Sequence, residues 1–132
     1  MDSGVSITNA TKKGSRALAR LPFSDLKIAI LGKKYELSVA IVPPAESHRI
    51  NLAHRGKDKP TNVLSFPLTK TSGELILDPE TSAADAPNFD MPKEKFFLFL
   101  VIHGMLHLKG YDHGSTMEKE EQKFLKKFSS AK

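Results

Sequence analysis

Cysteine is absent from the 132 residues, which excludes disulfides, thiolate-ligated zinc fingers, iron–sulfur clusters and thiol catalysis. Any metal site must therefore use histidine and carboxylate. Tryptophan is also absent, and aromatic residues make up only 8% of the chain. No long apolar run occurs. The longest, Phe96 to Ile102, falls far short of the roughly 20 residues that cross a bilayer, so no membrane partner is expected. The N-terminus shows no charged-then-apolar leader, and a cytoplasmic protein is expected. Internal repeats and low-complexity tracts are likewise missing. What is present suits one globular domain spanning residues 1–132: 39% hydrophobic and 27% charged residues, on a chain too short for two cores.

The net charge of +5 is unevenly spread. Residues 1–60 carry 11 Lys and Arg against 5 Asp and Glu, whereas residues 61–132 carry 9 against 10. A positive first half favours a polyanion partner, nucleic acid first among them.

Patterning predicts a small mixed sheet of about four strands packed with helices, an α+β fold. Val5-Ser6-Ile7, Leu37 to Ile41, Thr61 to Phe66 and Glu74 to Leu77 read as strands, the third stopped by Pro67. Lys12 to Arg20 reads as a basic surface loop or ragged helix. Helices are expected from Pro22 to Leu31 and from Ala45 to His54. Asp78 to Pro92, rich in Pro, Ala, Asp and Ser, reads as loop with one helical turn. Phe96 to Leu108 predicts a buried central helix, starting near Asp90 or Met91 and stopped by Gly110. Ser115-x-x-Glu118 matches a capping box, followed by an apolar stripe of Met117, Phe124, Leu125 and Phe128.

Three of the five histidines fall within eleven residues, as H-G-M-L-H-L-K-G-Y-D-H from His103 to His113. On a helix, His103 and His107 lie one turn apart on one face. Gly110 lets the chain turn back and bring His113 to the same ion. Three imidazoles leave a fourth tetrahedral position open, as in a catalytic zinc site. One zinc per chain is the first expectation, since neutral imidazole suits it; nickel, copper and iron also accept such ligands. Asp112 is a candidate to orient an imidazole from outside, and Tyr111 a candidate to hold the turn. The spacing is that of the metzincin proteases, whose fold is zincin-like, with Gly104 where they carry a glutamate base. Glycine can neither activate water nor protonate a leaving amine, which disfavours a peptidase.

With Asn51 to Pro67 (NLAHRGKDKPTNVLSFP) upstream, the histidine segment resembles the YbeY family of bacterial metal-dependent endoribonucleases. The resemblance is strong from Asn51 to His113. It implies one α+β domain, zinc held by His103, His107 and His113, and single-strand-preferring cleavage in maturation of small-subunit ribosomal RNA and ribosome quality control. The partners implied are ribosomal RNA and the ribosome or its small-subunit proteins. Arg55 takes the place of the family's functional arginine. Two departures are His54, where tyrosine is usual, and Glu74, where aspartate is common.

Arg55 begins the basic turn Arg55-Gly56-Lys57-Asp58-Lys59, and a guanidinium grips phosphate with two parallel hydrogen bonds. Arg55 is therefore expected to face the metal across an open groove as the catalytic cation, with Lys57 and Lys59 as further phosphate contacts. The alternative is an ordinary surface arginine paired with Asp58. Asn62 and Ser65 are candidates to hold loops or touch RNA, and His48 has no evident role. Two readings from other classes stand beside the nuclease: an RNA-binding ribosome-assembly factor with structural zinc, and a zinc peptidase of unusual mechanism.

Overall fold

The computed structural model describes residues 4–11 and 21–129. The basic stretch Lys12–Arg20 lies outside the described residues. In chain order the elements are β1 (Val5–Asn9), α1 (Phe23–Ile30), β2 (Glu36–Ile41), α2 (Pro44–Arg55), β3 (Val63–Thr69), β4 (Ser72–Leu77), α3 (Pro79–Asp85), a 3-10 turn (Ala86–Phe89), α4 (Lys93–Lys109) and α5 (Ser115–Ser129). The strands form one mixed sheet in the order β1-β2-β4-β3. β2 runs parallel to both β1 and β4, pairing Leu37 with Val5 and with Gly73. β3 is antiparallel to β4, with Leu64 opposite Ile76.

Strand alternation sorts the apolar residues onto two faces. Leu37, Val39, Ile41, Leu75 and Leu77 point to one face and pack with Phe23, Leu26 and Ile30 of α1, with α4, and with Met117, Phe124 and Leu125 of α5. Ala40, Val42, Leu64, Phe66 and Ile76 point to the other, where Ile50 of α2 covers them. Helix α4 is the spine of the larger layer. Ten of its residues are buried, from Phe96 to Leu108, and Leu125 and Phe128 of α5 pack in the same cluster.

Two expectations are corrected. Asp78 to Pro92 is ordered as α3 followed by the 3-10 turn. The signal was in the sequence: Asp78 Oδ1 accepts from the Thr81 N–H at 2.9 Å as a helix cap, and Pro79 sits in the first turn. The residues of this stretch suit caps as well as loops. β3 also continues through Pro67 to Thr69. It is an outer strand, where a missing N–H is tolerated, and its register shifts between Pro67 and Thr69.

Candidate metal centre

Helix α4 places Phe99, His103 and His107 along one face. At its end Gly110 adopts φ 112°, its N–H bonds the His107 carbonyl at 3.0 Å, and the Tyr111 N–H bonds the Leu106 carbonyl at 3.0 Å. This left-handed stop satisfies two terminal carbonyls and reverses the chain. His113 thereby returns to the helix, with its ring centroid 5.3 Å from that of His103 and 4.8 Å from that of His107. One ring nitrogen from each histidine falls in a group whose members all lie within 4.8 Å of one another, a set that could hold a metal ion.

The second nitrogen of each helical ring is already engaged. His103 Nδ1 donates to the Glu121 carboxylate of α5. His107 Nδ1 donates to the Tyr111 carbonyl at 3.0 Å. Both partners are acceptors, so each Nδ1 carries the proton and each Nε2 keeps its lone pair. The two Nε2 atoms stand 3.2 Å apart. Facing lone pairs at that distance repel unless a proton or cation lies between them. A tetrahedral ion bound at about 2.0–2.1 Å separates its ligands by about 3.3 Å, so the spacing fits the ion. Burial, and after it the neighbouring His103, pushes the His107 imidazole below its ordinary value. The ring is held in the neutral form that binds metal.

Gly104 is set by packing. A Cβ there would stand 2.6 Å from Leu75 Cδ2, 3.2 Å from Ser65 Oγ and 3.3 Å from Val63 Cγ2. Ser65 Oγ donates to the Gly104 carbonyl at 3.0 Å, pinning the metal helix to β3. The position that carries the base in metzincins thus faces the sheet here, with no room for a carboxylate. Ser65 holds the helix, and Asn62 Nδ2 donates to Asp85 at 2.9 Å, joining β3 to α3.

A cleft of about 360 Å³ opens at the centre. Helix α4 lines it with Phe96, Phe99, Leu100 and His103, and α5 with Met117, Glu118 and Glu121. Asn62, Val63, Phe89, His113 and Gly114 complete its walls. Arg55, Lys57 and Lys59 are not among the lining residues. Arg55 ends α2, the helix that covers the opposite face of the sheet, where the neighbouring His54 ring meets Phe66 edge-on at 5.1 Å. Arg55 thus stands at the exposed end of α2 and does not line the cleft.

Arg55, Lys57 and Lys59 share an exposed basic edge instead. Asp58 pairs with His48 Nε2 at 2.6 Å, not with Arg55, and Asn51 Nδ2 donates to the Lys59 carbonyl at 2.9 Å. These two bonds fasten the basic turn to α2. Asp112 is exposed. The orienting role expected of it is filled for His103 by Glu121 and for His107 by the Tyr111 backbone. Glu121 had a sequence signal: it lies on the apolar stripe of α5, four residues from both Met117 and Leu125. A carboxylate on a buried stripe needs a partner.

The model of the family described as Endoribonuclease YbeY matches residues 6–129. Among solved structures, the solution structure of TM1509 from Thermotoga maritima is similar, with 31% sequence identity and a TM-score of 0.68. The match covers 94% of this chain and 88% of that one.

Proposed function

Because the chain belongs to the YbeY family of endoribonucleases, enzymes of ribosomal-RNA maturation, we propose that it is a zinc-dependent, single-strand-preferring endoribonuclease. Its proposed substrate is small-subunit ribosomal RNA, its setting the cytoplasm, and its wider role ribosome quality control beside the small-subunit proteins. The convergence of His103, His107 and His113 beside a cleft that His103 and His113 line is the observation that carries the reading. Among the described residues the set holds three ligands, one fewer than a structural zinc takes. That count favours catalysis over the assembly-factor reading. The blocked position at Gly104 counts against a peptidase.

The three imidazoles would hold one zinc ion, with Glu121 and the Tyr111 carbonyl fixing the orientation of the two helical rings. Zinc bound there would polarise a phosphoryl oxygen or lower the pKa of water toward about 7. The attacking group is that water or the RNA 2′-hydroxyl, and a 2′,3′-cyclic phosphate product marks the second route. Arg55, Lys57 and Lys59 lie outside the cleft, so their proposed part is to grip flanking phosphates along the basic edge. No helix among the described residues is long and apolar enough to cross a membrane.

The test is cleavage of single-stranded RNA by the purified protein beside His107→Ala, with chelation of the wild type as a second arm. Loss of cleavage in both, with fold and RNA affinity retained, is the expected result. Cleavage that survives in His107→Ala exposes a contaminating nuclease. RNA binding without cleavage in zinc-loaded wild type returns the protein to the assembly-factor class.

A further inference from the structure

Four rings stand in file along one wall of the cleft. Phe89 stacks on Phe96, with centroids 4.7 Å apart and planes at 23°. Phe96 stacks on Phe99 at 6.1 Å and 16°, and Phe99 on His103 at 5.9 Å and 29°. Phe96, Phe99 and His103 fall on one face of α4 by their i, i+3, i+7 spacing. Phe89 comes from a different element, the 3-10 turn after α3. Asp90 behind it adopts φ 55°, the positive-φ non-glycine residue among the described ones. That left-handed residue ends the turn and directs the chain into α4.

The file is apolar at one end and metal-binding at the other. Phe96 is wholly buried, yet Phe89 remains 54% exposed, one of the few large apolar side chains in solvent. Core packing needs Phe96 but not an exposed ring laid flat on it. A substrate whose phosphate reaches His103 and His113 must lie in the same cleft, against this wall. Its bases are flat, apolar-faced and free to swing out only where the strand is unpaired.

We propose that Phe89 is the platform on which an unpaired nucleobase of the RNA stacks, some nucleotides removed from the scissile phosphate, since centroid steps of 4.7, 6.1 and 5.9 Å separate Phe89 from His103. This rests on the reading of the protein as an RNA nuclease and deepens it. The stack extends the existing ring file by one more ring, at the exposed end of Phe89. It takes any base, because each has a π-face, and it excludes a paired one. Single-strand preference then follows from the wall of the cleft, without a base-specific hydrogen bond. The neighbouring charges are the exposed Glu118 and the buried Glu121, so the cleft itself offers the substrate's phosphates little cationic help other than metal. Base stacking supplies the binding that charge does not.

The test is initial-rate cleavage of a single-stranded oligoadenylate by the zinc-loaded full chain, as wild type, Phe89→Ala, Phe89→Leu and Phe89→Tyr. Loss of one base–aromatic stack is expected to raise KM about 5- to 150-fold in Phe89→Ala. kcat should stay within about twofold, since the contact is made equally in ground and transition states. Phe89→Leu should stay impaired and Phe89→Tyr recover, whereas a merely apolar role would be rescued by leucine. Zinc content, melting temperature and the slope of log KM against log salt should be unchanged, because the ring carries no charge. Cleavage by wild type with an unaltered KM in Phe89→Ala, or full rescue by leucine, overturns the platform and leaves the nuclease reading standing. Failure of zinc-loaded wild type to cleave any RNA overturns both.

Discussion

Glu121 of α5 accepts a hydrogen bond from Nδ1 of His103 of α4, so the last helix is joined to the central helix through a residue of the histidine cluster. The Glu121 side chain is almost wholly buried, and its charge is committed to this contact. The bond leaves the Nε2 of His103 as the nitrogen turned toward His107 and makes it more electron-rich.

Removing that carboxylate should weaken zinc binding about 10- to 100-fold. Competition against a chromophoric chelator measures it for Glu121→Ala and Glu121→Gln. The glutamine variant should lose less, because its carbonyl oxygen still accepts from Nδ1. Equal affinity in Glu121→Ala and wild type would show that His103 needs no orientation from α5.

Gly104→Ala should lower stability despite better helix propensity. Alanine gains about 1 kcal/mol over glycine inside a helix, while overpacking costs about 1–3 kcal/mol. The new methyl would meet Leu75, Ser65 and Val63 in closed packing, so the second effect should win. A urea midpoint at or above that of wild type would mean that α4 can lift from β3 at no cost. Gly104→Glu should destabilise further and confer no proteolysis.

Leu100→Ala should cost roughly 2–5 kcal/mol, since Leu100 is buried beside Phe96 and Ala86 at the base of the aromatic wall. Denaturant unfolding of metal-free protein gives the number without a contribution from bound zinc. A loss under 1 kcal/mol would indicate that the wall collapses into the space.

Arg55→Ala, Lys57→Ala and Lys59→Ala should each weaken RNA binding across all sequences. Each contact removed should flatten the log–log salt dependence by about 0.7 for a single strand. Zinc content should not change, because all three residues lie outside the cleft lining. An unaltered salt slope in the triple variant would remove the basic edge from the RNA path. A collapse of kcat in Arg55→Ala with KM intact would instead put Arg55 at the reacting phosphate.

The metal triad was legible because its spacing is local. His103, His107, Gly110 and His113 are bound by the periodicity of one helix and the geometry of one helix stop. The central helix was legible for the same reason, as an apolar run too long for a strand. The place of Arg55 depends on which face of the sheet α2 covers, and residue spacing in one chain does not encode that choice. Glu121 shows in the sequence only as a carboxylate on the apolar stripe of α5. Its deeper role shows only once α5 lies against α4. Asp78 to Pro92 reads from sequence as loop with one helical turn because Asp, Pro and Ser cap helices and make turns alike. The burial of Ala86 and Ser82 decided between them.

Pro67 has an effect beyond its own strand. It sits in β3, at one margin of the sheet, next to a shift in pairing register. A strand in that place is a template on which another chain can add by backbone pairing. Proline brings no N–H to such a pairing, and the irregularity beyond it breaks the straight run of groups a newcomer would need. At the opposite margin β1 offers only five residues. Both margins of the sheet are thus poor templates for adding a further strand.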